Sequence, residues 1–210
     1  MSRYGDVYEN RVTGERAIVL RGDEDGNGEP ALVHLTVKPG GAVVGEHVHP
    51  RVQERFRVIA GTLGTKVDGV ERTLEAGADV TVPAGTRHDW WNAGDRDADV
   101  LVELSPAEEG PRFEAMIATL FGLANAGRTN AKGLPDPLQL ALIAREFEDV
   151  VRFTKPPASV QAVLFPVLAA AGKLRGYRAL HPEYLRPHGR VTPDRQVVAF
   201  AGLAELDQHR

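Results

Sequence analysis

The first half of the chain alternates short apolar runs with turn-forming residues. The runs are rich in Val, Thr, Leu and aromatic residues, and each has the length of a single β-strand. They occupy residues 16–20, 31–38, 54–59, 63–67, 70–74, 79–82, 89–92 and 100–104. Between two of them, Asp68-Gly69 is a strong signal for a two-residue hairpin, because Gly and Asp accept the positive φ that such turns need. Many short strands at this spacing predict an antiparallel sandwich or barrel.

After Pro106 the apolar residues recur at the spacing of a helix face. Helices are predicted over residues 111–125 and 137–153, and a third helix begins at Pro156-Pro157. Asp136 suits the N-cap of the second helix, and Pro137 suits its first turn. The predicted organisation is a β-barrel over residues 1–106, a helical extension over 107–185 and an extended tail over 186–210.

The third predicted helix is unusually apolar. Residues 158–172 carry no charge, and Pro166 should kink the helix. We expect this helix to pack against the barrel or across a dimer interface. The alternative is a membrane-surface contact through residues 158–178, aided by the basic residues that follow the apolar stretch. The helices are also candidates for a lid over the barrel, with residues 127–133 as the hinge.

Composition excludes several classes of protein. The chain has no Cys, so it has no disulfide framework, thiol catalysis or thiolate metal site. A net charge of -4 and the lack of a basic recognition helix argue against a nucleic-acid partner. The opening residues MSRYGDVYEN lack the apolar core of a signal peptide, so we expect a cytoplasmic protein.

Four residues between positions 47 and 88 suggest a metal site. His47 and His49 are two apart, so on a strand they project from the same face. Glu54 follows after a stretch long enough to turn, and His88 begins a new strand after the turn sequence PAGT. If they converge, these nitrogen and oxygen donors suit one divalent transition metal: Fe, Mn, Ni, Cu, Co or Zn. Up to two positions of an octahedral ion would stay open.

The glycines around these residues follow a recognisable spacing. One stretch reads Gly41-x5-His47-x-His49-x4-Glu54-x6-Gly61, and the other reads Gly77-x5-Pro83-x-Gly85-x2-His88-x3-Asn92. Over residues 30–105 the chain therefore resembles the cupin superfamily. The resemblance implies a double-stranded β-helix barrel, with turn glycines, a structural Asn92, and His47, His49, Glu54 and His88 as metal ligands inside the barrel. It also implies a homodimer.

Strand alternation predicts which side chains share the pocket with the metal. If Glu54 points inward, Phe56 and Val58 do as well, and Trp90 shares the parity of His88. Leu32, His34 and Val43 are further candidates for the interior. This pocket is mostly apolar, so we expect a hydrophobic, partly aromatic small molecule as the substrate. His34 and Glu103 are candidate acid/base residues, while Glu54 is either a permanent ligand or a base that detaches.

Three functions are compatible with these residues. The favoured one is a metal-dependent oxygenase or dioxygenase with a site of three His and one Glu. The second is a non-oxidative isomerase or lyase, with His34 or Glu103 carrying the proton. The third is a barrel that binds a small molecule without catalysis. The ligand set alone does not separate them.

Overall fold

The computed structural model describes residues 2–25, 28–42 and 45–203, so Val43 lies outside the described residues. The strands are β1 (Asp6–Asn10), β2 (Glu15–Arg21), β3 (Ala31–Val37), β4 (His47–Val48), β5 (Gln53–Ala60), β6 (Thr62–Val67), β7 (Val70–Glu75), β8 (Asp79–Val82), β9 (Arg87–Asn92), β10 (Ala98–Ser105), β11 (Arg152–Phe153) and β12 (Gly189–Arg190). The helices are α1 (Gly110–Asn125), α2 (Pro137–Glu146), α3 (Ala158–Leu174) and α4 (Arg195–Ala201).

The strands form two antiparallel sheets. The larger sheet has the order β12-β1-β2-β3-β10-β5-β8, and the smaller one has the order β11-β4-β9-β6-β7. All eight strands expected from the apolar runs are present. The hairpin between β6 and β7 turns at Asp68 and Gly69, which have φ of 47° and 81° and so confirm the expected turn. The mainly β fold with a following helical part is therefore confirmed.

The core lies between the two sheets. Along β5, Glu54, Phe56 and Val58 are buried, while Arg55 and Arg57 lie between them on the other face. These interior residues pack with side chains of β3, β6, β8, β9 and β10. The amide of Asn92 ties loops together at one end, because it donates to the carbonyls of Val37 and Arg96 and accepts from the backbone N–H of Gly94. These bonds agree with the structural role that the resemblance implies for Asn92.

Helix α1 packs on the barrel through Ala118 and Phe121, which contact Tyr8 of β1 and Val19 of β2. The next helix is shorter than expected. It ends at Glu146 instead of continuing to residue 153, because residues 147–151 form a turn in which the N–H groups of Val150 and Val151 bond to the carbonyl of Phe147. The chain then enters β11, which pairs with β4.

Helix α3 packs against α2, through Ala169 and neighbouring residues that contact Ala141 and Leu142. Val163, Val167 and Leu174 of α3 stay exposed, at 71%, 63% and 90%. Contact of this helix with a second copy or with a membrane surface stays a prediction. Within the described part of the chain, no helix combines the length and apolar character needed to cross a bilayer.

The tail expected to be extended has structure of its own up to residue 203. Strand β12 pairs with β1, with Asp6 opposite Arg190. Helix α4 then packs Val197 and Val198 against the outer face of the larger sheet. Asp194 caps this helix by accepting from the N–H of Gln196.

Candidate metal centre and cavity

The four expected ligands converge inside the barrel. His47 lies on β4 directly opposite His88 of β9, His49 follows β4, and Glu54 lies on β5 of the facing sheet. All four are buried, with exposures between 1% and 4%. One ligand atom from each lies within 4.8 Å of the others, so this group can hold a single metal ion.

The distances within the cluster are short. Nε2 of His47 is 3.1 Å from Nε2 of His49. Nε2 of His88 is 2.8 Å from Oε2 of Glu54, and the same oxygen is 3.5 Å from Nε2 of His49. All three imidazoles therefore turn their Nε2 atoms toward one point.

Backbone carbonyls hold the imidazoles in this orientation. Nδ1 of His47 is 2.8 Å from the Gly45 carbonyl, Nδ1 of His49 is 2.6 Å from the Val150 carbonyl, and Nδ1 of His88 is 3.0 Å from the Thr86 carbonyl. A carbonyl only accepts, so each Nδ1 carries a proton and each Nε2 points into the cluster. Against the opposing effect of burial, the hydrogen bond and charge of Glu54 raise the pKa of His88, so Nε2 of His88 holds a proton that it donates to Glu54 and that a metal ion would replace.

This orientation fits a metal ion. Three Nε2 atoms and one carboxylate oxygen face one another within 4.8 Å. A divalent cation between them would satisfy all four, and carbonyl partners at the second ring nitrogen are typical of metal-binding histidines. The donors contain no sulfur, which matches the range of first-row metals expected from the sequence.

The electrostatics favour the metal-binding protonation states of two ligands. Burial, together with the neighbouring His49 and His88, lowers the pKa of His47 to about 3. Burial alone would raise the pKa of Glu54, but the charge interaction with His49 and the hydrogen bond from His88 lower it to about 2. His47 is therefore neutral and Glu54 is ionised at neutral pH.

The helical extension supplies a side of the centre that the sequence reasoning missed. The Val150 carbonyl that accepts from His49 lies 101 positions further along the chain. Phe113 of α1 also contacts His49, with ring centroids 5.1 Å apart. Phe153 of β11 lies opposite His47 in the sheet. A backbone carbonyl carries no side-chain signal, so only the fold reveals this contact.

One arginine clamps the turn that bears the Val150 carbonyl. Arg112 of α1 donates to both carboxylate oxygens of Asp149, at 2.7 and 3.0 Å, and also to the carbonyl of Glu146. Its guanidinium lies over the ring of Phe147, 5.0 Å from the centroid. The turn that orients His49 is therefore fastened to α1.

A cavity of about 170 Å³ opens beside the cluster. His47, His49 and Glu54 line one part of it. Most of its wall is apolar and comes from both sheets and from α1, and the aromatic residues of that wall include Phe56, Trp90, Phe113 and Phe121. The cavity also touches polar residues that the sequence did not suggest: Tyr8, Asn10, Thr13, Glu15 and Glu114.

The structure separates the expected pocket residues into two groups. Phe56 and Trp90 line the cavity, and Val58 is fully buried in the core beside them. Leu32 and His34 instead face the opposite side of β3, which corrects the expectation that they point inward. Leu32 packs with residues of α4, while Val33 and Leu35 line the cavity.

The two further acid/base candidates lie outside the cavity. Nε2 of His34 is 2.9 Å from Oδ1 of Asp99 on the outer face of the larger sheet. Glu103 accepts from Arg21 at 3.5 Å and is not among the residues that line the cavity. The structure therefore does not bring His34 or Glu103 to the cluster, whereas Glu54 belongs to it.

Comparisons with known proteins agree with the fold. Residues 33–103 match the family model described as a cupin domain. The chain is 28% identical over 155 residues to "Probable oxidoreductase virH" of Hypocrea virens, which covers 68% of each protein. It is 34% identical over 82 residues to "Tetracenomycin polyketide synthase protein TcmJ" of Streptomyces glaucescens, which covers 39% of this chain and 54% of the relative. The polyketide cyclase RemF from Streptomyces resistomycificus has 20% identity and a TM-score of 0.39, over 49% of this chain and 69% of that one.

Two antiparallel sheets around a buried His–His–Glu–His cluster define a β-barrel with a candidate metal centre. Residues 33–103 match the cupin domain model, so this part of the chain is a cupin domain. The resemblance seen in the sequence is thereby confirmed.

Proposed function

We propose that this chain is a metal-dependent cupin enzyme that oxidises a small, largely apolar molecule with an aromatic or polyketide-type ring system. The observation that carries the proposal is the buried cluster of His47, His49, Glu54 and His88 at the wall of an apolar cavity. The relative called a probable oxidoreductase supports the oxidative reaction. The relative that is a polyketide synthase protein supports the substrate class.

The side chains of the cluster would hold one divalent transition metal through three Nε2 atoms and the Glu54 carboxylate. Such a metal supplies a Lewis acid and a redox centre, and four protein ligands leave up to two positions for substrate or dioxygen. The carbonyls that accept from the Nδ1 atoms keep the rings aligned. Phe56, Trp90 and Phe113 keep water from the reacting end of the substrate. Glu54 would either stay a ligand throughout or detach and accept a substrate proton.

A second candidate is a non-oxidative reaction of the same class of substrate, such as isomerisation or loss of water. The similarity to a polyketide synthase protein favours this candidate, since that name does not specify an oxidation. The same residues would act in both reactions, and the metal would then serve as a Lewis acid only. A binding barrel without catalysis is the outcome in which ligands bind but are not converted.

The first test is the metal content of the purified full chain, measured by elemental analysis without added metal. We expect about one Fe, Mn, Cu or Ni per chain, and we expect His49→Ala to lose it. His34→Ala is the matched control, because it removes a histidine that lies outside the cluster. Absence of metal in the wild type, even after reconstitution, would refute the proposal.

The second test separates the two reactions. The metal-loaded protein is incubated with a panel of hydroxylated polycyclic aromatic compounds, with and without oxygen. Oxygen uptake with products heavier by one or two oxygen atoms supports oxidation. Products of unchanged mass, or lighter by one water, that form equally without oxygen support the second candidate.

A further inference from the structure

The cavity has a second group of polar residues apart from the metal cluster. Tyr8 comes from β1, Glu15 from β2 and Glu114 from α1, and all three line the cavity. None of them belongs to residues 33–103, which match the cupin family model. This part of the cavity is therefore contributed by the segments that flank the matched region.

The hydrogen bond between Tyr8 and Glu114 fixes what this pair can offer a ligand. The phenol of Tyr8 is 4% exposed, and its O–H donates to Oε1 of Glu114 at 2.7 Å. Burial and the Glu114 carboxylate raise the pKa of Tyr8, so the phenol stays protonated. Its single proton is already used, so the phenol oxygen and the carboxylate can only accept further hydrogen bonds.

Glu15 adds another acceptor on the same face. Tyr8 lies opposite Ala17 and Asn10 lies opposite Glu15, so Tyr8 and Glu15 are diagonal neighbours across β1 and β2. Glu15 is 9% exposed, and Oε2 accepts from the Thr13 hydroxyl at 2.5 Å. Burial raises the pKa of Glu15, and the hydrogen bond from the Thr13 hydroxyl lowers it by a smaller amount.

Two basic residues also touch the cavity, and one of them is engaged elsewhere. The guanidinium of Arg21 donates to Glu29 at 2.6 Å and to the Pro30 carbonyl at 2.6 Å. Lys132 is exposed. An anionic ligand is therefore the alternative class of ligand for this end of the cavity.

We propose that Tyr8, Glu15 and Glu114 form an acceptor subsite that binds a hydroxyl group of the ring-containing substrate. The proposal rests on the proposed function for what happens at the other end of the substrate. A buried carboxylate or phenol oxygen gains a hydrogen bond from a ligand O–H, whereas a ligand carboxylate would meet like charges. The cavity thus favours a neutral hydroxylated ring over both its unsubstituted and its carboxylated counterpart.

The test compares naphthalene, 2-naphthol and 2-naphthoate, which share one ring system and differ in the polar group. Dissociation constants are measured by calorimetry on the full chain with and without bound metal, and the metal-free protein decides the comparison with 2-naphthoate, because a bound metal ion would itself attract a carboxylate. We expect 2-naphthol to bind about tenfold more tightly than naphthalene, as one hydrogen bond to a charged acceptor allows, and 2-naphthoate to bind most weakly. Equal affinity for 2-naphthol and naphthalene, or tightest binding of 2-naphthoate, would overturn the proposal.

Single substitutions test which residues produce the preference for 2-naphthol over naphthalene. Tyr8→Phe and Glu15→Gln should each reduce the advantage of 2-naphthol at least threefold while leaving naphthalene binding within twofold. Glu9→Gln is the control, because Glu9 is a strand neighbour of Tyr8 that pairs with Arg16 instead of lining the cavity. Unchanged naphthalene binding also shows that the variants fold, and the wild-type comparison tests the proposal without any variant.

His49→Ala separates this proposal from the proposed function. If the acceptor subsite binds the hydroxyl, the preference for 2-naphthol persists in His49→Ala even when metal is lost. If the preference disappears in His49→Ala but survives Tyr8→Phe, the hydroxyl binds at the metal end and the acceptor subsite is refuted. Failure of metal binding in the wild type would affect the proposed function but leave this comparison intact.

Discussion

The clamp between Arg112 and Asp149 offers a direct test of how the helical extension supports the metal centre. Arg112→Ala removes both bonds to Asp149 and the contact with the ring of Phe147. The turn of residues 147–151 then keeps only its apolar packing on α1. The change leaves every proposed metal ligand in place, so we expect its main effect on metal binding to come from the position of the Val150 carbonyl, which accepts from His49.

The expected magnitude follows from the contacts that are lost. Side chains of Arg112 and Asp149 are 40% and 26% exposed, so their ion pair contributes only about 1 kcal/mol to stability after screening by solvent. Loosening the bond from His49 to Val150, at 2.6 Å, costs about 1 kcal/mol of metal binding, or about fivefold in the dissociation constant. This lies just below the range of ten- to a hundredfold typical for partners of metal ligands.

The assay is competition between the protein and a chromophoric chelator for Co²⁺ or Zn²⁺. Asp149→Asn should weaken binding to a similar degree, and the double variant should add little, because both changes break one clamp. Arg145→Ala on α2 is the control, since Arg145 is exposed. If Arg112→Ala lowers the free energy of unfolding but leaves the dissociation constant within twofold of wild type, the reasoning is wrong.

Three further changes test other parts of the structure. A Cβ at Gly64 would lie 2.3 Å from the indole of Trp91, so Gly64→Ala should lower the free energy of unfolding by about 1–3 kcal/mol in chemical denaturation. Hydrogen bonds from His34 and Thr36 lower the pKa of Asp99 against the opposing effect of burial. The ionised carboxylate therefore stabilises the fold at any pH above the usual Asp pKa, and this stabilisation is lost as the pH falls through the lowered pKa. Asp99→Asn should therefore cost about 1 kcal/mol at pH 7 and almost nothing at the lowest pH at which the protein stays folded, and a cost independent of pH would contradict this. His34→Ala should leave the affinity for Co²⁺ unchanged in the same competition assay, and a tenfold loss would return His34 to the metal centre.

Local patterns in the sequence were enough to predict most of the barrel strands, and the motif spacing predicted the cluster. The alternation in β5 and the spacing of His47, His49 and Glu54 depend on positions a few residues apart, while His88 belongs to the second stretch of the cupin-like spacing. The structure brings these four ligands together. The prediction that Leu32 and His34 of β3 point into the barrel was wrong, because both faces of this strand carry apolar residues and the pattern does not tell them apart. Helix α4 covers the outer face, so Leu32 is as deeply buried as a core residue without pointing into the barrel.

Contacts between distant segments explain what the sequence did not reveal. Strand β12 consists of Gly189 and Arg190, which have no strand pattern of their own and become a strand only through pairing with β1. The acceptor group of Tyr8, Glu15 and Glu114 likewise joins three separate elements. Such groupings depend on the packing of helix and sheet, which periodicity along the chain does not encode.

The pairing of β1 with β12 has a consequence for how the protein reaches this structure. Arg190 donates to Asp6 across a separation of 184 positions, so this edge joins segments from nearly opposite ends of the described chain. Closing so large a loop costs entropy before any contact repays it, and proteins dominated by such pairings fold slowly. We therefore expect the barrel strands to assemble before this edge does. Because Tyr8 is on β1, the polar end of the cavity would be among the last parts of the molecule to acquire its final shape.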